Sequence, residues 1–176
     1  MDFSTLTTLI RNVPDFPKPG IQFKDITPLL QDAKAFSTLI DKMAADAEGL
    51  FFHKIAAIES RGFILGAALA KHMGVGLTLI RKPGKLPWKT QSEAYDLEYG
   101  MDQLQIHEDA LKPKEKVLVV DDVLATGGTA SAALKLCRKL NATPVGLLVF
   151  IELGFLNGRQ RIEQTLDIPV RSSLRY

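Results

Sequence analysis

The chain has 176 residues, of which 46% are hydrophobic and 24% charged, a composition typical of a single folded domain rather than of disorder or a coiled coil. Its formal charge of +2 is too small to argue for a nucleic-acid partner or an anionic membrane. One cysteine excludes an internal disulfide framework, and no stretch reaches the ~20 apolar residues of a membrane span, so we expect a cytoplasmic protein.

The N-terminal segment predicts short elements joined by a stiff connection. Residues 2–11 follow a helical pattern that Asp2 or Ser4 could cap, and three prolines then hold the chain extended as far as Gly20. Residues 21–23 predict a short strand.

The next segments alternate between helix and strand. Asp32 precedes a helix with one apolar face, and residues 54–58 predict a buried strand. A helix at 62–72 and a strand at 75–80 follow. Because such alternation gives right-handed crossovers, we expect an α/β fold with a parallel sheet flanked by helices.

A polar turn, Glu59-Ser60-Arg61-Gly62, joins the strand at 54–58 to the following helix. It would place backbone donors and Arg61 at the carboxyl end of a strand, where ligands bind to parallel sheets, so it is a candidate anion site. A capped helix with an exposed arginine is the alternative.

A long polar loop is predicted from residue 81 to residue 95, and loops of this length are usually functional or disordered. Arg81, Lys82 and Lys85 form a basic cluster at its start. Such cations could stabilise a departing anionic group, although a charge cluster is more often solvated surface.

Two short segments after this loop alternate in polarity on either side of Gly100. Residues 94–99 and 102–106 therefore predict a hairpin at one edge of the sheet. Residues 145–151 predict one more buried strand.

The most informative segment runs from Val117 to Ala130. Residues 117–120 are all branched and apolar, which suits a strand buried on both faces, and a helical pattern follows the Gly127-Gly128 pair. Glycine lets the backbone approach a ligand closely, and a helix N-terminus attracts anions. The residues expected to hold a phosphate are Ala125, Thr126, Gly127, Gly128 and Thr129.

Asp121 and Asp122 lie just before this turn. Two carboxylates would repel a phosphate but could accept hydrogen bonds from vicinal sugar hydroxyls, directly or through a metal, so the segment predicts a ribose 5-phosphate site. Taken alone, the carboxylates could be solvated strand-terminating residues, and the glycines could be a simple helix entry.

The segment 119–129 resembles the phosphoribosyl pyrophosphate (PRPP) binding motif of the type I phosphoribosyltransferases. The chain resembles the adenine-specific members of that family over nearly its whole length. The resemblance is carried by the segments 14–20, 59–63, 81–87 and 97–100. The resemblance implies a type I phosphoribosyltransferase fold in a single domain, 1–176. Within it, residues 1–30 would form an N-terminal hood and residues 81–100 a mobile catalytic loop.

The resemblance implies an activity in which adenine and PRPP give AMP and pyrophosphate, as in purine salvage. It further implies Mg²⁺ held mainly by PRPP or pyrophosphate, and a homodimer. Two alternatives remain: a transferase for another purine base, and a non-catalytic module that senses PRPP.

The resemblance also assigns roles to individual residues. Glu98 would handle the proton of adenine, Lys85 and Arg61 would act on pyrophosphate, and Tyr99 would hold the loop closed. Pyrophosphate would further contact Glu59, Ser60, Arg81 and Lys82, with a cis peptide near Glu59 and Ser60. Adenine would contact Phe23, Lys24, Val123 and Leu124. The family has arginine where this chain has Lys24, which removes a planar, bidentate group.

Overall fold

A computed structural model describes residues 2–96 and 101–176 of the chain. Its elements are α1 (Phe3–Thr7), β1 (Arg11–Pro14), β2 (Gln22–Asp25), α2 (Thr27–Gln31), α3 (Ala33–Asp46), β3 (Lys54–Ile58), α4 (Arg61–Met73), β4 (Gly76–Ile80), β5 (Thr90–Asp96), β6 (Met101–His107), β7 (Lys116–Leu124), α5 (Gly128–Lys139), β8 (Thr143–Glu152), α6 (Gly158–Leu166) and β9 (Val170–Arg175).

The main sheet has five parallel strands in the order β4-β3-β7-β8-β9, which confirms the expected α/β architecture. Its central strand, β7, is fully buried from Val117 to Val120. Ala56 of β3 belongs to the core cluster that contains residues of α5, whereas Ala57 meets Gly66 of α4. Neighbouring residues of β3 therefore face opposite sides of the sheet. Helices on both faces explain the uninterrupted apolar pattern of these strands.

The expected hairpin is present and adjoins the sheet at its edge. Strands β5 and β6 pair antiparallel, and a bridge between Arg81 and Gln105 connects β6 to the chain leaving β4. However, β5 begins at Thr90, so the loop predicted for 81–95 was wrong over its last residues. The polar side chains at the start of β5 are typical of a loop in sequence, which is why the strand was not predicted there. In the structure such side chains have partners; Glu93, for example, forms an ion pair with Lys139 at 2.6 Å.

The N-terminal unit departs from the sequence prediction at its start: the helix predicted over 2–11 ends at Thr7, and Arg11–Pro14 form strand β1, which was not predicted. Asp2 caps α1 by accepting the N–H of Thr5 at 2.7 Å, and the predicted strand at 21–23 corresponds to β2. Because β1 and β2 pair antiparallel, the connection between them is a hairpin loop with a cis Phe16–Pro17 peptide. Asp32 precedes α3 and accepts the N–H of Ala35 at 2.8 Å.

The chain divides into two compact units, residues 1–42 and 43–176. The expectation of one domain over 1–176 with a hood at 1–30 stays a prediction. Among the helices of the described residues, none combines the length and the apolar character that a membrane crossing requires.

Candidate active site

The central strand carries both motif carboxylates within its own length. Strand β7 continues through Asp121 and Asp122 to Leu124, so both carboxylates lie near the carboxyl end of the strand, where both residues line one pocket. Asp122 is buried, and its Oδ2 lies 2.5 Å from Nε of Arg61, the first residue of α4. The predicted ribose site therefore contains one carboxylate in an ion pair and a second carboxylate beside it.

Asp121 lies beneath the first turn of α4. A Cβ added to Gly62 would stand 2.9 Å from Oδ1 of Asp121, and the same oxygen accepts the N–H of Asp122 at 2.8 Å. Although Asp121 is partly exposed, burial of its carboxyl group and the charge of Asp122 raise its pKa well above the ordinary value. Asp121 therefore holds a proton more readily than a solvated aspartate does.

Residues 125–129 form the turn between β7 and α5, which we call the phosphate loop. Gly127 has φ +82°, a conformation that side chains other than glycine rarely adopt, and α5 begins at Gly128. The first turn of a helix leaves backbone N–H groups without intrahelical acceptors and carries the positive end of the helix dipole. The geometry of the loop thus suits an anion.

A pocket of about 370 Å³ connects the phosphate loop with the turn that follows β3. Its lining consists of Glu59–Arg61, Lys82, Tyr95 and Asp121–Ala130. The predicted ribose, phosphate and second anion sites therefore share one cavity, whose volume falls within the range of ~300–1,000 Å³ common for small-molecule sites.

Glu59 organises the start of the basic loop. The peptide between Glu59 and Ser60 is cis, as the resemblance implied. The Glu59 carboxylate accepts two bonds from Arg81, at 3.1 and 3.2 Å, and the N–H of Lys82 at 2.9 Å. Burial acts to raise the pKa of Glu59, but the bonds from Lys82 and Arg81 outweigh it and lower the pKa. Glu59 thus stays ionised and holds the loop at its base.

The three predicted loop cations occupy different environments. Lys82 lines the pocket, where its ammonium donates to Asp102 and, at 2.9 Å, to the hydroxyl of Tyr95. Burial acts to lower the pKa of Lys82, yet these bonds raise it, so the ammonium stays charged. Arg81 faces Glu59, and Lys85 is exposed; neither lines the pocket as described.

Two residues of the site had escaped the sequence analysis. Tyr95 is buried on β5 and lines the pocket opposite Asp102 in the hairpin register. Gly158, the first residue of α6, packs against the back of the phosphate loop, where an added Cβ would lie 2.2 Å from the carbonyl oxygen of Ala125. The strand alternation of β5 could have indicated Tyr95, whereas no local pattern marks Gly158.

The residues predicted to contact adenine belong to both units. Val123 and Leu124 line the pocket. In the N-terminal unit, the ring of Phe23 meets Phe16 edge-on, with centroids 5.1 Å apart. Lys24 donates from Nζ to Asn12 at 2.6 Å, across the β1–β2 pair, so its amine connects the two strands.

Glu98 and Tyr99, predicted to handle the adenine proton and to hold the loop, lie outside the described residues. Their roles stay predictions.

Oxygen ligands in the pocket suit Mg²⁺, but they are few. Within residues 2–96 and 101–176, no three His, Cys, Asp or Glu side chains cluster in a way that could hold a metal ion. Asp121 and Asp122 offer carboxylate oxygens, and Asp122 is already paired with Arg61. This donor set fits a Mg²⁺ ion held mainly by substrate oxygens and does not fit a cage of protein ligands.

Comparisons with known proteins bear on the whole chain. Residues 29–171 match the phosphoribosyl transferase domain family. The chain is 53% identical, over 98% of its length and 99% of the relative's, to adenine phosphoribosyltransferase from Roseiflexus sp. (strain RS-1). A crystal structure of adenine phosphoribosyltransferase from Thermoanaerobacter pseudethanolicus matches with a TM-score of 0.96 at 46% identity, covering 99% of this chain and 100% of that one. The enzyme of that name from Saccharomyces cerevisiae, complexed with an imino-altritol bisphosphate and adenine, matches at 0.91 with 36% identity, over 97% of each chain.

Proposed function

The chain belongs to the phosphoribosyl transferase family, and we propose that it transfers the phosphoribosyl group of PRPP to adenine, giving AMP and pyrophosphate. The observation that carries this proposal is a pocket in which a helix N-terminus lies beside two adjacent carboxylates. The choice of adenine is supported by relatives named adenine phosphoribosyltransferase, which are about half identical over nearly the full chain.

In this proposal the sugar of PRPP lies against β7. The ribose hydroxyls donate hydrogen bonds to Asp121 and Asp122, while the 5-phosphate occupies the phosphate loop. Because carboxylates repel a phosphate, only one orientation of the sugar satisfies both parts of the pocket. The ion pair with Arg61 keeps the Asp122 carboxylate in place within the sheet.

The pyrophosphate of PRPP would lie at the start of α4. There it meets the backbone of Ser60, the guanidinium of Arg61 and the ammonium of Lys82, all of which line the pocket. Arg81 and Lys85 would join from the loop. Bound Mg²⁺ would supply further neutralisation of the pyrophosphate charge. Cations at this position stabilise the negative charge that builds on pyrophosphate as it leaves.

The reaction is a displacement at C1 of the ribose. N9 of adenine forms a bond to C1 while the bond from C1 to the pyrophosphate oxygen breaks, and Glu98 takes the N9 proton. We propose that adenine stacks on Phe23 and contacts Val123 or Leu124, with edge recognition by backbone atoms near Lys24. Tyr99 would help to close the loop and exclude water.

A steady-state assay with adenine, PRPP and Mg²⁺ tests the proposal. We expect AMP formation that requires all three, and a fall of about a hundredfold or more in kcat/KM for PRPP when Asp121 and Asp122 are both changed to alanine, because two acceptors of sugar hydroxyls are lost. The matched control removes the adjacent, exposed carboxylates Glu108 and Asp109 and should leave kcat/KM unchanged. Full activity in the Asp121→Ala/Asp122→Ala variant would contradict the proposal.

Two further measurements distinguish the alternatives. Competition among adenine, hypoxanthine and xanthine would identify a transferase for another base, and PRPP binding without any product would identify a sensor. AMP formation from adenine alone among the three bases is the expected result.

We also propose a homodimer in the cytoplasm, for which the family resemblance gives the main support. The chain has a single cysteine, Cys137, which is buried and has no second cysteine to form an internal disulfide, and this supports a reducing compartment. Sedimentation at a mass twice the chain's 19.4 kDa would support the dimer.

A further inference from the structure

The phosphate loop rests on the first residue of α6, and the contact is made by backbone alone. A Cβ added to Gly158 would stand 2.2 Å from the Ala125 carbonyl oxygen and 3.1 Å from the Gly127 nitrogen. In the other direction, a Cβ added to Gly127 would stand 3.0 Å from the Gly158 carbonyl oxygen. The path of the loop therefore depends on where α6 begins.

The beginning of α6 is held by the next residue, Arg159. Its guanidinium donates to Glu152 at 3.0 Å from Nε and 2.5 Å from Nη2, and to the carbonyl oxygen of Val170 at 2.6 Å. Ser172 donates to the same Glu152 carboxylate at 2.7 Å. Planar, bidentate contacts of this kind fix a position more sharply than a single charge contact does.

The acceptor of these bonds is itself fixed within the sheet. Glu152 ends β8 and is only 1% exposed. The next residue, Leu153, donates its N–H to Leu124 at 2.9 Å, at the end of the motif strand. A continuous set of contacts thus leads from the sheet through Glu152 and Arg159 to Gly158 and the phosphate loop.

A role in stability alone does not account for this arrangement. Buried ion pairs often add little net stability compared with apolar residues of similar size, because removing both charges from water is costly. This pair stands directly behind a loop that must place several N–H donors around one phosphate, and misplacement by about 1 Å can cost roughly a hundredfold in rate.

We propose that Glu152 and Arg159 are positioning residues that set the phosphate loop for the 5-phosphate of PRPP by holding Gly158 against Ala125 and Gly127. This inference rests on the proposed function of the pocket. Neither side chain lines the pocket within the described residues, so both act through the backbone of Gly158.

The test compares Gly158→Ala with Gly146→Ala. Both place a methyl group in a buried site, but the methyl at Gly146 meets the flexible side chain of Leu50 at 2.9 Å and lies away from the loop. We expect Gly158→Ala to raise KM for PRPP about tenfold or more with a small change in KM for adenine, and Gly146→Ala to change neither.

A second comparison addresses the ion pair itself. Arg159→Met should also raise KM for PRPP, and Arg159→Lys should restore part of the loss because it keeps the charge without the planar fork. Arg161→Met, an exposed arginine of the same helix, is the control. Should Arg159→Met fail to fold, Arg159→Lys decides the question: an unchanged KM for PRPP in that variant would contradict the role of the planar contacts.

Calorimetric binding of ribose 5-phosphate separates this inference from the proposed function. Weaker binding by Gly158→Ala than by wild type and Gly146→Ala supports the inference, even if wild type forms no AMP and the proposed activity fails. Equal binding of ribose 5-phosphate by these three proteins, or a lower melting temperature with an unchanged KM for PRPP, would overturn it.

Discussion

At the scale of single residues, Asp121 has opposite effects on ligand binding and on folding. Its pKa is raised by burial and by the charge of Asp122. A carboxyl group with a raised folded pKa contributes stability below its unfolded pKa of ~3.9, and this contribution is lost as the pH rises through the folded pKa. At neutral pH, the raised pKa of Asp121 therefore lowers the free energy of unfolding of the ligand-free protein.

Changing Asp121 to asparagine should raise the melting temperature at pH 7 while weakening PRPP binding. The gain in melting temperature should shrink as the pH falls toward the unfolded pKa of ~3.9, since the unfolded chain then gains less by ionising this carboxyl group. Thermal denaturation of ligand-free protein at several pH values measures this. The exposed Asp109→Asn serves as the control, and a gain for Asp121→Asn that is absent at pH 7 would contradict the argument.

Residues of the site differ in how far sequence could reveal them. Asp121, Asp122 and the phosphate loop are contiguous, so a buried strand followed by a helix entry was sufficient to place them together. Tyr95 reaches the site through the hairpin register opposite Asp102, and Gly158 reaches it from a distant segment of the chain, so neither belongs to the contiguous motif.

At the scale of elements, helix α4 is seated on the sheet by two glycines with different neighbours. A Cβ added to Gly62 would meet Asp121 Oδ1 at 2.9 Å and the Val120 carbonyl oxygen at 3.1 Å. A Cβ added to Gly66 would meet the Cβ of Ala57 at 2.6 Å, one turn farther along the helix. The contact of Gly62 therefore involves a residue of the proposed ribose site, whereas the contact of Gly66 involves only packing between helix and sheet.

Alanine at either glycine should destabilise the protein by about 1–3 kcal/mol, because both methyl groups overpack the interface between helix and sheet. Only Gly62→Ala should also raise KM for PRPP, since its methyl group displaces the Asp121 carboxylate. Urea denaturation and steady-state kinetics on the two variants give the comparison. An equal rise in KM for both variants would mean that KM depends on the packing of α4 against the sheet as a whole. It would contradict a specific effect of Gly62 on the Asp121 carboxylate.

The elements that sequence predicted well are those with strong periodicity. Strand β7 and helices α3, α4 and α5 all follow apolar patterns, and their expected positions were confirmed within a few residues. Helix α6 and strand β9 were not predicted, because α6 buries only Gly158, Ile162 and Leu166, and β9 has one buried residue. Such elements are specified by tertiary contacts, for which a single sequence gives little sign.

At the scale of the whole molecule, several carboxylates are stabilised in their charged form. Glu93, Asp102 and Glu152 each accept hydrogen bonds from a lysine or an arginine, and the pKa of each is lowered. A carboxylate with a lowered folded pKa contributes stability above its unfolded pKa of ~4, and this is lost as the pH falls through the folded pKa. The protein should therefore lose stability in acid, with Asp121 acting in the opposite direction.

Glu152→Gln should reduce this acid sensitivity. Its melting temperature should be below that of wild type at pH 7, because the bonds from Arg159 are weakened, and the gap should narrow as the pH falls below 4. The control is Glu163→Gln, which removes an exposed partner of the same arginine, 3.3 Å from Nη1, and should have a small effect. A constant gap across the pH range would count against this account.

The backbone contact between Gly127 and Gly158 also determines how far the phosphate loop could be moved to another protein. Residues 121–129 form one contiguous motif in the sequence, yet the shape of the loop depends on its contact with Gly158, about thirty positions later. A graft of the motif alone should bind ribose 5-phosphate poorly on a new scaffold. The smallest transferable part is the motif strand and its helix together with the end of β8 and the beginning of α6.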